Sequence, residues 1–310
     1  MKPKNERHHW WPRGLSKFWQ DDSGHVHCVS CDGELVRSFP KEFGAIRNAN
    51  KITYAKTPTV WEESFEGTFQ LADDNFPNLI TWLQGLNSEL LATSGPFSSR
   101  LTPLIVKQNI QVLMGVCLAS LIARSPSFRN RVRLTLERYR SQFDLPDLTA
   151  DKDLVALNVR RAQHMLAGTM ISGGKFTVLL SGAGEFIFGD GFLHNVSSAT
   201  DHHRPRCLVP LTPEIAIFYT RPMRYRTYPK GFALNLTPEE VSFVNDTVQV
   251  YSNRFLFFRE IHPVIDPVFT RCEHMQYKYE RHSWIDQLEQ AMADTFFGFD
   301  AEFDASDDGV

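Results

Sequence analysis

The run His164-Met-Leu-Ala-Gly-Thr-Met-Ile-Ser-Gly-Gly-Lys-Phe-Thr-Val-Leu-Leu180 is where one kind of structure gives way to another. Before it, Leu154, Leu157, Arg161 and His164 recur every three or four residues, which predicts a helix from about Asp151 to Thr169. Gly173-Gly174 breaks that period. After it come short β-branched or aromatic runs at Phe176 to Leu180, Glu185 to Gly189, Arg206 to Leu211 and Glu214 to Tyr219, separated by Gly, Asp and Pro. These read as a small mixed or antiparallel sheet. The fold class is therefore α+β, a mainly helical core carrying a small sheet.

Toward the N-terminal side, helical pattern dominates from about Thr59 to Phe143, with breaks at Asn75-Phe76-Pro77, Ser94-Gly95-Pro96 and Ser125-Pro126. About four helices are expected there, the first starting at Thr59-Val-Trp-Glu-Glu and the central one running from Leu101 to Arg124. Earlier still, Gly14 to Pro40 holds strand-like pieces divided by Asp21-Asp22-Ser23-Gly24 and Asp32-Gly33, the pattern of an N-terminal β-hairpin. Toward the other end, Thr237-Pro238-Glu239-Glu240 supplies a capping threonine and a first-turn proline. The helix it opens carries Val241, Val244, Val248 and Tyr251 on one face and stops before Phe255-Leu-Phe-Phe; a last helix covers about Trp284 to Phe297. No repeat or linker interrupts residues 1–298, which are expected to form one domain, followed by a frayed acidic tail at 299–310.

Of 310 residues, 42% are hydrophobic and 24 are Phe, enough to fill a substantial interior. A net charge of -3 speaks against a surface built throughout for nucleic acid or anionic lipid, while leaving room for local basic patches. The most apolar stretch, Val112 to Ala123, is about half the length of a membrane span, so no membrane association is expected. The opening Met1-Lys-Pro-Lys-Asn-Glu-Arg lacks the apolar run of a secretory signal, and a mature start at Met1 is expected. Five cysteines in a chain of this length suit a reducing cytoplasm better than a disulfide framework.

The densest group of reactive side chains is His8-His9-Trp10-Trp11-Pro12-Arg13, where imidazole beside guanidinium can combine proton transfer with phosphate binding. The aromatic pair and the proline imply that this segment is packed. Cys28 and Cys31 have the two-residue spacing of a zinc knuckle, but no second pair lies nearby, and the alternation around His25 and His27 favours a hairpin. Asp201-His202-His203-Arg204, with His194 and Asp190, brings acid, imidazole and guanidinium together between two strands, either as a functional loop or as a solvated one. Six arginines fall within the seventeen positions from Arg124 to Arg140; helical spacing divides them into two stripes, which favours a solvated face over a nucleic-acid patch. Phosphate-binding glycine loops, dinucleotide fingerprints, nucleophile elbows and zincin helices are missing from the sequence.

The order and spacing of His8-His9-Trp-Trp-Pro-Arg13, Ala123-Arg-Ser-Pro-Ser-Phe128, Phe186-Ile-Phe-Gly-Asp190, Val209-Pro-Leu-Thr-Pro213 and Val244-Asn245 resemble a bacterial family, a domain of unknown function whose members open with His-His-Tyr-Val-Pro. The resemblance spans about residues 8 to 258. It sets His8, His9, Pro12 and Arg13 on the opening motif, Arg124 and Pro126 on an Arg-Thr-Pro after the core helix, Asp190 on a strand-end aspartate and Asn245 on a late-helix asparagine. This chain departs from the family at Trp10 and Trp11, and at Gly191-Phe192, where the family has Asn-Pro.

The resemblance implies a fold and a candidate pocket without an assigned activity. On the residues themselves, the leading expectation is a nuclease or nucleotide-processing hydrolase of a bacterial defence or toxin system. His9 would serve as general acid or base, His8 or Arg13 together with Arg124 and Asn245 would hold a phosphate-bearing nucleic acid or nucleotide, and Asp190 would orient a histidine or bind a metal. The competing expectation is a non-catalytic sensor or protein-interaction module, in which the same groups form a structural network. Nothing in the sequence specifies a cofactor, a metal or an oligomeric state.

Overall fold

A computed structural model describes residues 7–53, 62–86, 91–144, 151–194, 206–221, 229–272 and 279–294. The acidic tail and the Asp201 to Arg204 group lie outside these residues. The chain enters as β1 (Arg7–His9), then passes through Pro12 into the one-turn helix α1 (Arg13–Ser16) and a tighter turn at Lys17–Trp19. The expected hairpin is β2 (Val26–Ser30) and β3 (Leu35–Ser38), closed by Gly33 at φ +84°, a left-handed turn conformation that glycine adopts without strain. β4 (Ala45–Arg47) returns to pair antiparallel with β1, and β5 (Lys51–Thr53) pairs with β6 (Glu62–Ser64).

Three features differ from expectation. The residues read as the first turn of a helix at Glu62 are strand β6; α2 (Gly67–Gln84) begins after them and runs straight through Pro77. Proline removes one helix hydrogen bond, and the buried stripe Phe69, Ala72, Phe76, Leu79, Ile80 and Leu83 outweighs that loss. After the short α3 (Phe97–Arg100), Thr102–Leu104 forms strand β7, so the spine helix α4 spans Gln108–Arg124 and does not start at Leu101. Pro103 accounts for this, because the residue before a proline is driven to extended backbone and proline is tolerated on a sheet edge. The break at Ser125-Pro126 is as read: Ser125 caps α5 (Pro126–Gln142) by accepting from the Phe128 N–H at 3.2 Å, with a 55° bend between α4 and α5.

α6 (Asp151–Ser172) ends at the double glycine and hands over to β8 (Lys175–Ser181). β9 (Phe188–Gly189), β10 (Leu193–His194), β11 (Arg206–Thr212) and β12 (Ile215–Thr220) follow, then β13 (Gly231–Leu236). α7 (Pro238–Tyr251) opens on a full capping box, in which Thr237 and Glu240 bond each other's backbone N–H. β14 (Phe255–Phe258), the single turn α8 (Pro267–Thr270) and α9 (Tyr279–Asp294) complete the described chain.

The main sheet is mixed and six-stranded, in the order β10-β11-β12-β8-β13-β7, and all its pairs are antiparallel except β8 with β13. Neighbouring side chains on a strand point to opposite faces. Tyr219 donates to the α6 carbonyl of Thr169, while Thr220 donates to Glu289 of α9, so α6 covers one face and α9 the other. A second sheet, β3-β2-β14-β9, meets the N-terminal segment through rings: Trp11 stacks on Phe188 with centroids 4.4 Å apart and an 8° interplanar angle. One apolar cluster runs from Trp10 to Met292, joining both sheets and the helices around them.

Candidate functional site

Polar groups from five separate segments meet beneath β1. Antiparallel pairing sets His8 opposite Ile46 and buries its ring, whose Nδ1 accepts the Asn50 N–H at 3.1 Å. The Asn50 amide continues the chain of contacts, donating to Glu66 and accepting from Arg129 at 2.5 Å. Arg129 also reaches the Ala49 carbonyl at 2.9 Å. The bend after Ser125 aims Arg124, the last residue of α4, toward the same place. Its forked nitrogens grip both carboxylate oxygens of Asp73, and one of them also donates to the His9 carbonyl at 3.3 Å. The guanidinium of Arg124 is wholly buried and lies 5.1 Å over the Phe69 ring. Burial lowers the Arg129 pKa to about 10, partly countered by Glu66 and reinforced by Arg124, so Arg129 remains a cation at neutral pH.

Asp190 lies in a different setting. Its buried carboxylate accepts the backbone N–H groups of Asn253 at 2.6 Å and Arg254 at 3.1 Å, binding the start of β14 to the end of β9. The Asp190 main chain adds two more ties, donating to the Phe255 carbonyl and accepting from the Ser127 N–H. Burial pushes its pKa up from 3.8 to about 6, against the backbone donors that pull it down. Between those two values the folded chain holds more protons than the unfolded chain, so raising the pH removes stability. The contribution is fully present below pH 3.8, is lost above about pH 6, and amounts to about 3 kcal/mol. Urea midpoints measured from pH 4 to pH 7 should therefore show wild type losing this much relative to Asp190→Asn as pH rises; parallel profiles would contradict the assignment.

The remaining expected site residues are placed apart from one another. Asn245, on α7, clamps the approach to β9, accepting from the Ile187 N–H and donating to the Glu185 carbonyl, both at 2.9 Å. Arg13 is exposed on α1. The structure thus brings His8, the His9 main chain and Arg124 into one network, gives Asp190 and Asn245 separate backbone-holding roles, and leaves Arg13 at the surface. Asn50, Glu66, Asp73 and Arg129 are the members that sequence reading passed over. Only Arg129 carried a signal, as part of the arginine-rich helix.

Elsewhere, a cleft of about 850 Å³ lies between α3, α7 and α9, lined by Phe97, Phe243 and Trp284 and by Glu240, Asp246 and Asp286. Among the described residues no group of three or more His, Cys, Asp or Glu side chains is placed to hold a metal ion, and no single helix is long and apolar enough to cross a membrane. Comparison with protein-family models, with curated proteins and with solved structures found no match to this chain.

Proposed function

We propose that this chain is a non-catalytic sensor or protein-interaction module, and that its terminal polar groups are a lock fastening the N-terminal strand to the core. The observation that carries this reading is the commitment of those groups: the forked nitrogens of Arg124 are held by Asp73 and the His9 carbonyl, His8 Nδ1 by Asn50, and the Asp190 carboxylate by two backbone N–H groups. Catalytic acids, bases and phosphate clamps need faces open to substrate, whereas groups spent in this way rigidify a unique core. The binding surface in this reading is the cleft between α3, α7 and α9, whose volume lies within the range of small-molecule pockets. Its three carboxylates, of which Glu240 is gripped by Arg100 and Asp286 pairs with Arg206, together with its aromatic walls suit a basic or polar partner.

The nuclease or nucleotide-processing reading, with a role in bacterial defence or toxin action, draws on a different observation: His9 and Arg124, 115 residues apart in sequence, meet at one place. One experiment separates the two. Purified protein is incubated with total RNA, single-stranded DNA and plasmid, with and without divalent metal. The module predicts no cleavage. It also predicts that His8→Ala, which strands the buried Asn50 N–H, lowers unfolding free energy by about 2 kcal/mol, while His9→Ala, at a half-buried position, costs less. Cleavage that disappears in a folded His9→Ala variant would establish the nuclease instead.

A further inference from the structure

Among the described residues, one partly buried cation has no carboxylate partner. Arg131, on α5, is largely sequestered, yet no carboxylate among the described residues pairs with it; its side-chain hydrogen bond is to His194 Nε2, at 2.5 Å. Arg206, whose field also reaches Tyr251, is by contrast paired with both Asp286 and Glu289 of α9. A guanidinium can only donate, so Nε2 is the accepting nitrogen and the His194 proton lies on Nδ1. That Nδ1 is buried and has no partner among the described residues, and neither has the buried Nε of Arg131. His194 itself is 4% exposed, at the end of β10, with its ring centroid 5.7 Å from that of Phe128.

The charges agree with this tautomer. Burial, aided by Arg131, holds the His194 pKa well below its ordinary value, so the imidazole is neutral at physiological pH. Burial brings Arg131 down to about 10, which leaves it charged. Tyr251, at the end of α7, lies in the field of both Arg131 and Arg206, which oppose the upward shift that burial imposes on its phenol. Among the described residues the locality therefore offers a positive charge without a paired carboxylate, two unspent buried N–H donors and a phenol.

A partly buried charge without a counter-charge is unfavourable, and a ligand that supplies the missing charge would relieve that cost. We infer that Arg131, His194 and Tyr251 form a binding site for a phosphate-class oxyanion, with Arg131 providing the charge and His194 a neutral donor. The anion is either free phosphate or the phosphate group of a larger molecule. The inference does not depend on whether the chain is catalytic, because it concerns a different part of the fold from the terminal network.

The test is calorimetric titration of the full chain with inorganic phosphate, with a nucleoside monophosphate and with the corresponding nucleoside, at constant ionic strength set by chloride. Wild type is expected to bind phosphate or the monophosphate and to ignore the nucleoside; tighter binding of the monophosphate than of phosphate identifies the ester as the source. Arg131→Met should weaken binding at least tenfold and His194→Phe several-fold. Arg133→Met, at an exposed position of the same helix paired with Glu137, should leave binding unchanged. Should Arg131→Met fail to fold, Arg131→Lys, which keeps the charge without the fork, is expected to bind at least threefold more weakly. Absence of anion binding to wild type, or Arg131 variants that bind as tightly as wild type, would overturn the site.

Discussion

Arg124→Ala should cost about 3 kcal/mol of unfolding free energy, seen as a lower urea midpoint with an unchanged denaturant slope. The substitution removes a wholly buried guanidinium together with two contacts to Asp73, one to the His9 carbonyl and the stacking over Phe69. Two of the groups left behind, a carboxylate and a carbonyl, would need water. The loss falls at the low end of what breaking a buried pair entails, because Asp73 keeps 35% of its side chain exposed and can rehydrate. Arg124→Lys should recover less than half of the deficit, since an ammonium cannot span both carboxylate oxygens and reach His9 as well. A variant as stable as wild type would show that the N-terminal strand is held by its tryptophans alone.

Gly191→Ala should be at least as damaging, with an expected loss of 3 kcal/mol or more, on the order of the most severe core overpacking. A Cβ at this position would sit 2.1 Å from the Tyr251 carbonyl oxygen and 2.4 Å from Ser127 Cβ. Neither can retreat cheaply, because Ser127 Oγ donates to that same carbonyl at 3.0 Å and the Ser127 N–H is held by Asp190. The backbone at Gly191 is thus pressed between the start of α5 and the end of α7. Gly168→Ala on α6 makes the contrast: a Cβ there meets nothing within 4 Å, and alanine is the better helix former. That variant should be neutral or more stable by up to about 1 kcal/mol. Equal melting temperatures for the two variants would refute the close-packing account.

Local chemistry explains which parts of the fold could be read in advance. The capping box at Thr237, the serine-proline break at Ser125 and the double glycine at Gly173 each act within a few residues of themselves, and the sequence displays them directly. β13 was hidden because Gly-Phe-Ala-Leu-Asn-Leu contains no β-branched residue; it is a strand because β8 offers it a parallel partner. α2 was wrongly divided at Pro77 because the buried stripe that holds the helix together across the proline is a tertiary effect. The site divides in the same way. His8 and Arg124 could be singled out by residue type, but Asn50 lies 42 residues from His8 and Asp73 lies 51 from Arg124, and no spacing rule links such pairs. Asp190 could be singled out as a strand-end aspartate, yet its partners are main-chain N–H groups, which leave no trace in side-chain chemistry.

The packing of the N-terminal tryptophans bears on how the chain is made. Trp19 donates its indole N–H to the carbonyl of Leu211, 192 residues further along, and Trp11 rests on Phe188 and Phe257. At ~5–20 residues per second a ribosome needs roughly ten to forty seconds to synthesise the chain between Trp19 and its acceptor. For most of that interval Trp10, Trp11 and Trp19 lack Phe188 and the later strands that cover them, although all three end almost fully buried. This segment is therefore the natural grip for a nascent-chain chaperone, and slowing elongation downstream of it should raise the fraction of chains that aggregate before release.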